Sequence, residues 1–180
     1  MLNYNESSGS DTMGMMVLRE NRNDQEDTAM SKEFTIENEY LKVTVTTWGA
    51  QVKSVIRKCD NVEHIWQADK SVWGYHAPIL FPHAGKVVDG KIEAKGAVYE
   101  SGQHGFARLM EHEFVEHTDD TIVLELCANE ETYGKFPYEF RLVSTLTLEN
   151  DTLHHTLTEE SGRGEPALRH RLPPCLQRSL

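Results

Sequence analysis

From Phe34 onward, apolar and polar residues alternate with a period of two, the pattern of strands that keep one face in a core. Leu41, Val43 and Val45 alternate with Lys42, Thr44 and Thr46. Phe140, Leu142, Leu146 and Leu148 fall on one face together with Ser144, and Arg141, Val143, Thr145 and Thr147 fall on the other. A third β-rich run, Ile122 to Leu126, is bounded by Asp119-Asp120 and Asn129. Asn150-Asp151 separates two strand-like runs and reads as a hairpin turn. Gly49, Gly85, Gly90, Gly96, Gly102 and Gly105 punctuate the middle at turn-like intervals. One short helix is expected, Ala128 to Tyr133, with Asn129 as its cap. Many short strands with turns between them predict an all-β protein, an antiparallel sandwich or barrel.

The two ends depart from this grammar. Residues 1–29 are rich in Asn, Ser, Asp, Glu and Met and carry no sustained period. They read either as a disordered acidic tail or as a start-site artefact ahead of Met30, after which ordered patterning begins. Residues 161–180 have no apolar period, and Pro173-Pro174 excludes a central strand there. The 180-residue length is enough for one domain with a hydrophobic core, and the composition, 38% apolar and 26% charged, is that of a globular protein. A formal net charge of -11 argues against nucleic acid or an anionic membrane as partner. Cys59, Cys127 and Cys175 form no CxxC pair, which suggests a reducing compartment. With no membrane-length apolar run and no signal-peptide pattern, a cytoplasmic location is the default expectation.

Candidate chemistry concentrates between Trp73 and Arg108. Ala77-Pro78-Ile79-Leu80-Phe81-Pro82-His83-Ala84-Gly85-Lys86 reads as a strand edge that delivers a cation to a cleft. Gln103-His104-Gly105-Phe106-Ala107-Arg108 follows, with Gly105 allowing backbone to approach closely behind the His104 ring. That segment is too broken for a long helix, so His104 and Arg108 could converge on one pocket. On the residues alone, His104 reads rather as a histidine satisfied by backbone, and Arg108 as a loop anchor.

These stretches, together with Phe34–Trp66, resemble the aldose 1-epimerase family, in particular its bacterial galactose mutarotase-like branch. Its segments read like N-E-Y-L-K-V-T-V, G-A-x-V-x-S, A-P-I-L-F-P-x-x-G-R and Q-H-G-F-A-R. Here they are Asn38 to Val45, Gly49 to Ser54, Ala77 to Lys86 and Gln103 to Arg108. The resemblance covers about residues 33–159 and implies the N-terminal part of a galactose mutarotase-like β-supersandwich with a sugar site on its concave face. It implies general acid–base ring opening and closure of a free aldohexose, with no cofactor and no metal. A non-catalytic sugar-binding module on the same scaffold is the alternative. By resemblance His104 is the catalytic candidate and hydrogen-bonds the sugar near its ring oxygen; Lys86 and Arg108 are further substrate-binding candidates. Lys86 stands where the family pattern has arginine, keeping the charge but not the planar fork.

The family's second histidine, in a motif like G-x-H-P, and its later glutamate do not follow. Read one base later, the codons of His170 to Leu176 permit Ile-Gly-Tyr-His-Pro-Ala-Phe, and those of Gly164 to Arg169 permit Glu-Ser-Leu-Pro-Phe-Gly. This suggests a one-base frameshift near residues 158–162, a truncated family domain over 30–160 and an aberrant tail over 161–180. The chain as given is then expected to be inactive. Among the other histidines, His83 is a possible pocket liner, whereas His76, His112 and His117 are expected to be solvated. One of His154 and His155 must point outward. Trp66 and Trp73 could offer a platform to a sugar ring, but burial of at least one in the core is expected.

Overall fold

The computed structural model describes residues 31–161. The expectations for 1–29 and for the frameshifted tail, apart from Ser161, lie outside those residues. Ten strands, β1 to β10, fall into three antiparallel sheets. One has the order β1 (Glu33–Glu37), β2 (Leu41–Thr46), β3 (Val52–Arg57), β4 (Val62–Glu63). The second has the order β10 (Thr152–Ser161), β9 (Phe140–Glu149), β8 (Thr121–Cys127), β7 (Glu113–His117). Between them in sequence lies a hairpin of β5 (Lys91–Ala94) and β6 (Ala97–Glu100). The all-β, antiparallel sandwich read from the sequence is the observed fold.

Side-chain alternation places the core. Leu41, Val43 and Val45 of β2 are buried, as are Ile122, Leu124 and Leu126 of β8 and Phe140, Leu142, Leu146 and Leu148 of β9. Register brings these faces into line, with Ile122 opposite Leu146 and Leu126 opposite Leu142. They join the β1–β3 residues in one continuous apolar cluster. Burying one such Leu or Ile contributes on the order of 1.5–3 kcal/mol. Ser144, the polar member of the β9 face, is buried too, and its hydroxyl meets His155 Nε2 across the strand pair at 2.8 Å. The β9–β10 turn is Asn150-Asp151, as expected, with Asn150 at positive φ between paired Glu149 and Thr152. The short helix α1 (Glu130–Tyr133) is capped by Asn129, whose side chain accepts from the Thr132 amide at 3.0 Å. Strand β10 runs to Ser161, which pairs with Phe140.

Four expectations are corrected. The stretch 77–86 is not a strand: Phe81 forms only an isolated parallel bridge with Gly105, and Ala77, Ile79 and Phe81 are buried as loop residues. His112 is 1% exposed, not solvated, because its backbone N–H bonds Thr47 and draws the ring in under the first sheet's end. Half-buried His76 is tied to Trp66 through Nδ1, while His117 is exposed as expected. Neither tryptophan is in the core; Trp66 and Trp73 are 45% and 44% exposed, and the Trp66 indole donates to the Trp73 carbonyl at 2.8 Å. Of the β10 pair, His154 is exposed and His155 half-buried, its Nδ1 shut off from solvent.

Gly105 holds the most crowded backbone contact. At φ +72° it lies so close to Phe81 that an added Cβ would stand 2.0 Å from the Phe81 carbonyl oxygen. Gly96, at φ +75°, has nothing within 4 Å of the same position. Gly105→Ala is therefore expected to cost at least about 3 kcal/mol, and Gly96→Ala about 1 kcal/mol. Urea unfolding of both variants measures this; equal losses would show that the contact is unimportant.

Burial lowers the pKa of His112 and of His155 to about 4. Both stay neutral in the folded protein while the unfolded chain takes up protons below about pH 6.5. Stability is thus complete above that pH and lost as pH falls towards 4. Each histidine should remove about 2 kcal/mol between pH 7 and pH 5. A urea midpoint that stays constant over this interval would contradict the buried neutral state.

Candidate functional site

The two segments singled out in the sequence meet at Phe81. Its carbonyl accepts the backbone N–H groups of Phe106 at 2.9 Å and Ala107 at 3.3 Å. Its ring packs on Phe106 (centroids 5.7 Å), Phe136 (5.7 Å) and Phe140 (4.8 Å). Strand β9 and the segment after α1 therefore anchor both motifs. From the other side Gly49, at φ +66°, lies against the Arg108 carbonyl, where a Cβ would come within 2.6 Å, and its N–H bonds Met110 at 2.8 Å. Residues 103–110 are thus held between the ends of both sheets.

His104 sits in this frame at φ +68°, a left-handed conformation uncommon outside glycine. Its backbone N–H donates to the Gly85 carbonyl at 2.8 Å, and the Gly85 N–H donates to its Nδ1 at 2.9 Å. The Gln103 side-chain amide lies 3.2 Å from Nε2. Burial lowers the His104 pKa, and the Arg108 cation and His83 lower it further. The ring is consequently neutral at neutral pH.

Lys86 is exposed and lines a concavity of about 850 Å³ shared with Asp89, Glu100, Ser101, Gln103 and Lys135. His104 does not itself line that concavity; its chain neighbours Gln103 and Gly105 do, and its ring is bonded to Gly85, next to Lys86. Arg108 lies elsewhere. Its guanidinium rests 4.6 Å from the centre of the Tyr75 ring, and its Nη2 donates to the Gln103 carbonyl at 3.2 Å. Tyr75 belongs to a neighbouring concavity of about 830 Å³ with Trp48, Gln51, His76 and Leu109, and Leu109 borders both. Arg108 thus braces the loop that carries His104 and adds positive potential beside it. His83 faces Ser101, with Nε2 and Oγ 2.6 Å apart, and burial lowers its pKa. Among the described residues no cluster of three His, Cys, Asp or Glu is placed to hold a metal ion. No helix among them is long and apolar enough to cross a membrane.

Sequence patterning placed Gly85 and Gln103 within the two motifs but gave no role to them, to Ser101 or to Tyr75. Gly85 and Gln103 could have been found as neighbours of Lys86 and His104. Nothing in the spacing signals that Ser101 meets His83, because a loop and a hairpin separate them.

The antiparallel sandwich is that of the galactose mutarotase-like folds. The chain belongs to the aldose 1-epimerase family, whose pattern matches residues 32–168. Protein LacX, encoded on a plasmid of Lactococcus lactis subsp. lactis, is 30% identical over 128 residues, which are 66% of this chain and 41% of LacX. The crystal structure of a galactose mutarotase related enzyme from Lactobacillus acidophilus superposes with a TM-score of 0.71 at 36% identity, covering 72% of this chain and 43% of that one. A galactose mutarotase-like protein from Lactobacillus casei gives 0.67 at 36% identity, over 72% and 45% of the two chains. The chain spans less than half the length of these relatives.

Replacing Arg108 by Met should remove its bond to Gln103 and its hold on Tyr75, costing about 1–2 kcal/mol. It should also raise the His104 pKa towards its ordinary value, since a nearby positive charge is lost. Urea unfolding and an NMR pH titration of His104 measure the two effects; an unmoved titration would show that Arg108 does not act on the ring.

Proposed function

We propose that this chain forms the N-terminal part of an aldose 1-epimerase that interconverts the α and β anomers of free aldohexoses. The observation that carries the reading is the junction of Gly85-Lys86 with Gln103-His104, which sets a histidine beside a lysine-lined concavity in a member of this family. The reaction needs a base to remove the anomeric hydroxyl proton and an acid to protonate the ring oxygen as the C1–O bond breaks. Rotation about C1–C2 then presents the other face of the aldehyde, and closure gives the other anomer. His104 contacts the sugar near its ring oxygen, Lys86 holds hydroxyls through a single ammonium group, and Arg108 contributes by contact or by positioning the loop. No carboxylate among the described residues is hydrogen-bonded to His104, so further proton-transfer groups must reach the sugar from elsewhere. The shifted reading frame beyond residues 158–162 is where we place the missing histidine.

A sugar-binding module without catalysis is the second reading, since Lys86 and His104 suffice for recognition. Optical rotation of freshly dissolved α-glucose or α-galactose separates the two. The 180-residue chain should give no appreciable acceleration, and the frame-restored product should accelerate mutarotation. His104→Ala in the restored protein should lower the rate by about 10²–10³-fold, the loss typical of a hydrogen-bond donor to the reacting oxygen. A restored protein that binds sugar in calorimetry but leaves the rotation rate at that of buffer would establish the binding module instead.

A further inference from the structure

The ring of His104 is not free to choose its proton. Gly85 and His104 exchange two hydrogen bonds, one from the His104 N–H to the Gly85 carbonyl and one from the Gly85 N–H to His104 Nδ1, at 2.8 and 2.9 Å. A nitrogen that accepts from an N–H must offer a lone pair, so Nδ1 carries no proton while this bond stands. A neutral imidazole then has its hydrogen on Nε2. Both residues have positive φ, +83° for Gly85 and +68° for His104, a geometry that turns the Gly85 N–H and the imidazole towards each other. Gly85 reaches it without a Cβ, whereas His104 is held there by the clamp and by the tight seat of Gly105 on Phe81. Protonating Nδ1 would break the clamp and set a second positive charge beside Arg108.

We propose that Gly85 is a positioning residue whose backbone N–H locks His104 as the neutral Nε2–H tautomer, so that the ring offers the site a hydrogen-bond donor and no basic nitrogen. The Gln103 amide nitrogen stands 3.2 Å from Nε2; with a proton on Nε2 that amide must turn over to accept through its oxygen, and it gives way to a sugar oxygen in the filled site. The consequence for the chemistry rests on the epimerase reading above. A neutral Nε2–H cannot take the anomeric hydroxyl proton, since its nitrogen lone pair is used in the ring. Full transfer of its own proton would leave an imidazolate anion. His104 therefore polarises a sugar oxygen by hydrogen bonding, and both the proton removed from the anomeric hydroxyl and the one delivered to the ring oxygen travel through other groups.

The test needs no sugar and no turnover. The 180-residue chain is labelled with ¹⁵N, and the His104 ring signals are assigned by their loss in His104→Gln. At pH 7 the expected result is a protonated-type shift at Nε2 and a lone-pair-type shift at Nδ1. A scalar coupling across the hydrogen bond should link Nδ1 to the Gly85 amide nitrogen. On acidification the coupling should vanish together with the appearance of imidazolium, at a midpoint below the ordinary value of about 6.5. An Nδ1–H tautomer, an imidazolium at pH 7, or freely averaged ring shifts without coupling would each overturn the lock. Adding α-galactose then tests the functional reading separately. A shift of the Nε2 proton with unchanged Nδ1 coupling supports both. If the coupling is present and no concentration of glucose or galactose moves the ring signals of the frame-restored protein, the lock stands and the epimerase reading fails.

Discussion

The seat of Gly105 on the Phe81 carbonyl is the constraint on which the rest of the structure turns. At that point two loop segments, neither in a regular sheet, pass within van der Waals distance of each other. Only a residue without a side chain fits there. Once they meet, the Phe81 carbonyl satisfies two buried N–H groups that would otherwise be orphaned. The Phe81 ring, fully buried among Phe106, Phe136 and Phe140, converts the loop crossing into part of the core. Everything placed around His104 inherits its precision from this packing rather than from sheet hydrogen bonds.

The sheets contribute by being rigid and by ending in the right places. Gly49, just past the end of β2, meets the backbone of Arg108 and Met110 from the first sheet, while Phe140 of β9 meets Phe81 from the second. Ion pairs do little of this work. Those of Lys53 with Glu33, Arg57 with Asp60 and Lys58 with Glu37 lie on the surface, where such pairs contribute about 0–1 kcal/mol. Poorly solvated polar groups instead appear as histidines kept neutral: buried His112 bonded to the Met110 carbonyl and half-buried His155 to the Ser144 hydroxyl. Both make the sandwich sensitive to acid.

The strands were legible because period two is a local signal: Val43 and Val45, or Leu142 and Leu146, declare their face by their spacing alone. The Asn150-Asp151 turn and the Asn129 cap were legible for the same reason, since each is a local bond within a few residues. Residues 77–86 misled because an apolar run looks the same whether it pairs as a strand or is buried as a loop, and only tertiary contact with Gly105 decides. His112 and the two tryptophans misled in opposite senses. A histidine's polarity says nothing of the distant Thr47 carbonyl that accepts its backbone N–H, and a tryptophan's size does not reveal that its loop lies outside the sandwich. At the site, the motifs carried His104 and Lys86 by family resemblance, and Gly105 by its steric logic. The Gly85 clamp was not legible, because a backbone N–H has no signature in sequence.

The arrangement also bears on why lysine can stand where the family pattern has arginine. A guanidinium fork fixes two hydroxyl oxygens at once and so sets the orientation of a sugar ring by itself. Lys86 is exposed, and an ammonium on four flexible methylenes fixes only a point. Orientation must then come from a second group, and His104 is held at its backbone and at Nδ1 by one residue, Gly85, adjacent to Lys86 itself. A flexible charge and a locked donor, joined through consecutive residues, can together define a sugar's position as a fork would. On the reading proposed here, recognition is shared between a residue that attracts and a residue that aligns, and the stringency for hydroxyl geometry rests on His104 more than on the cation.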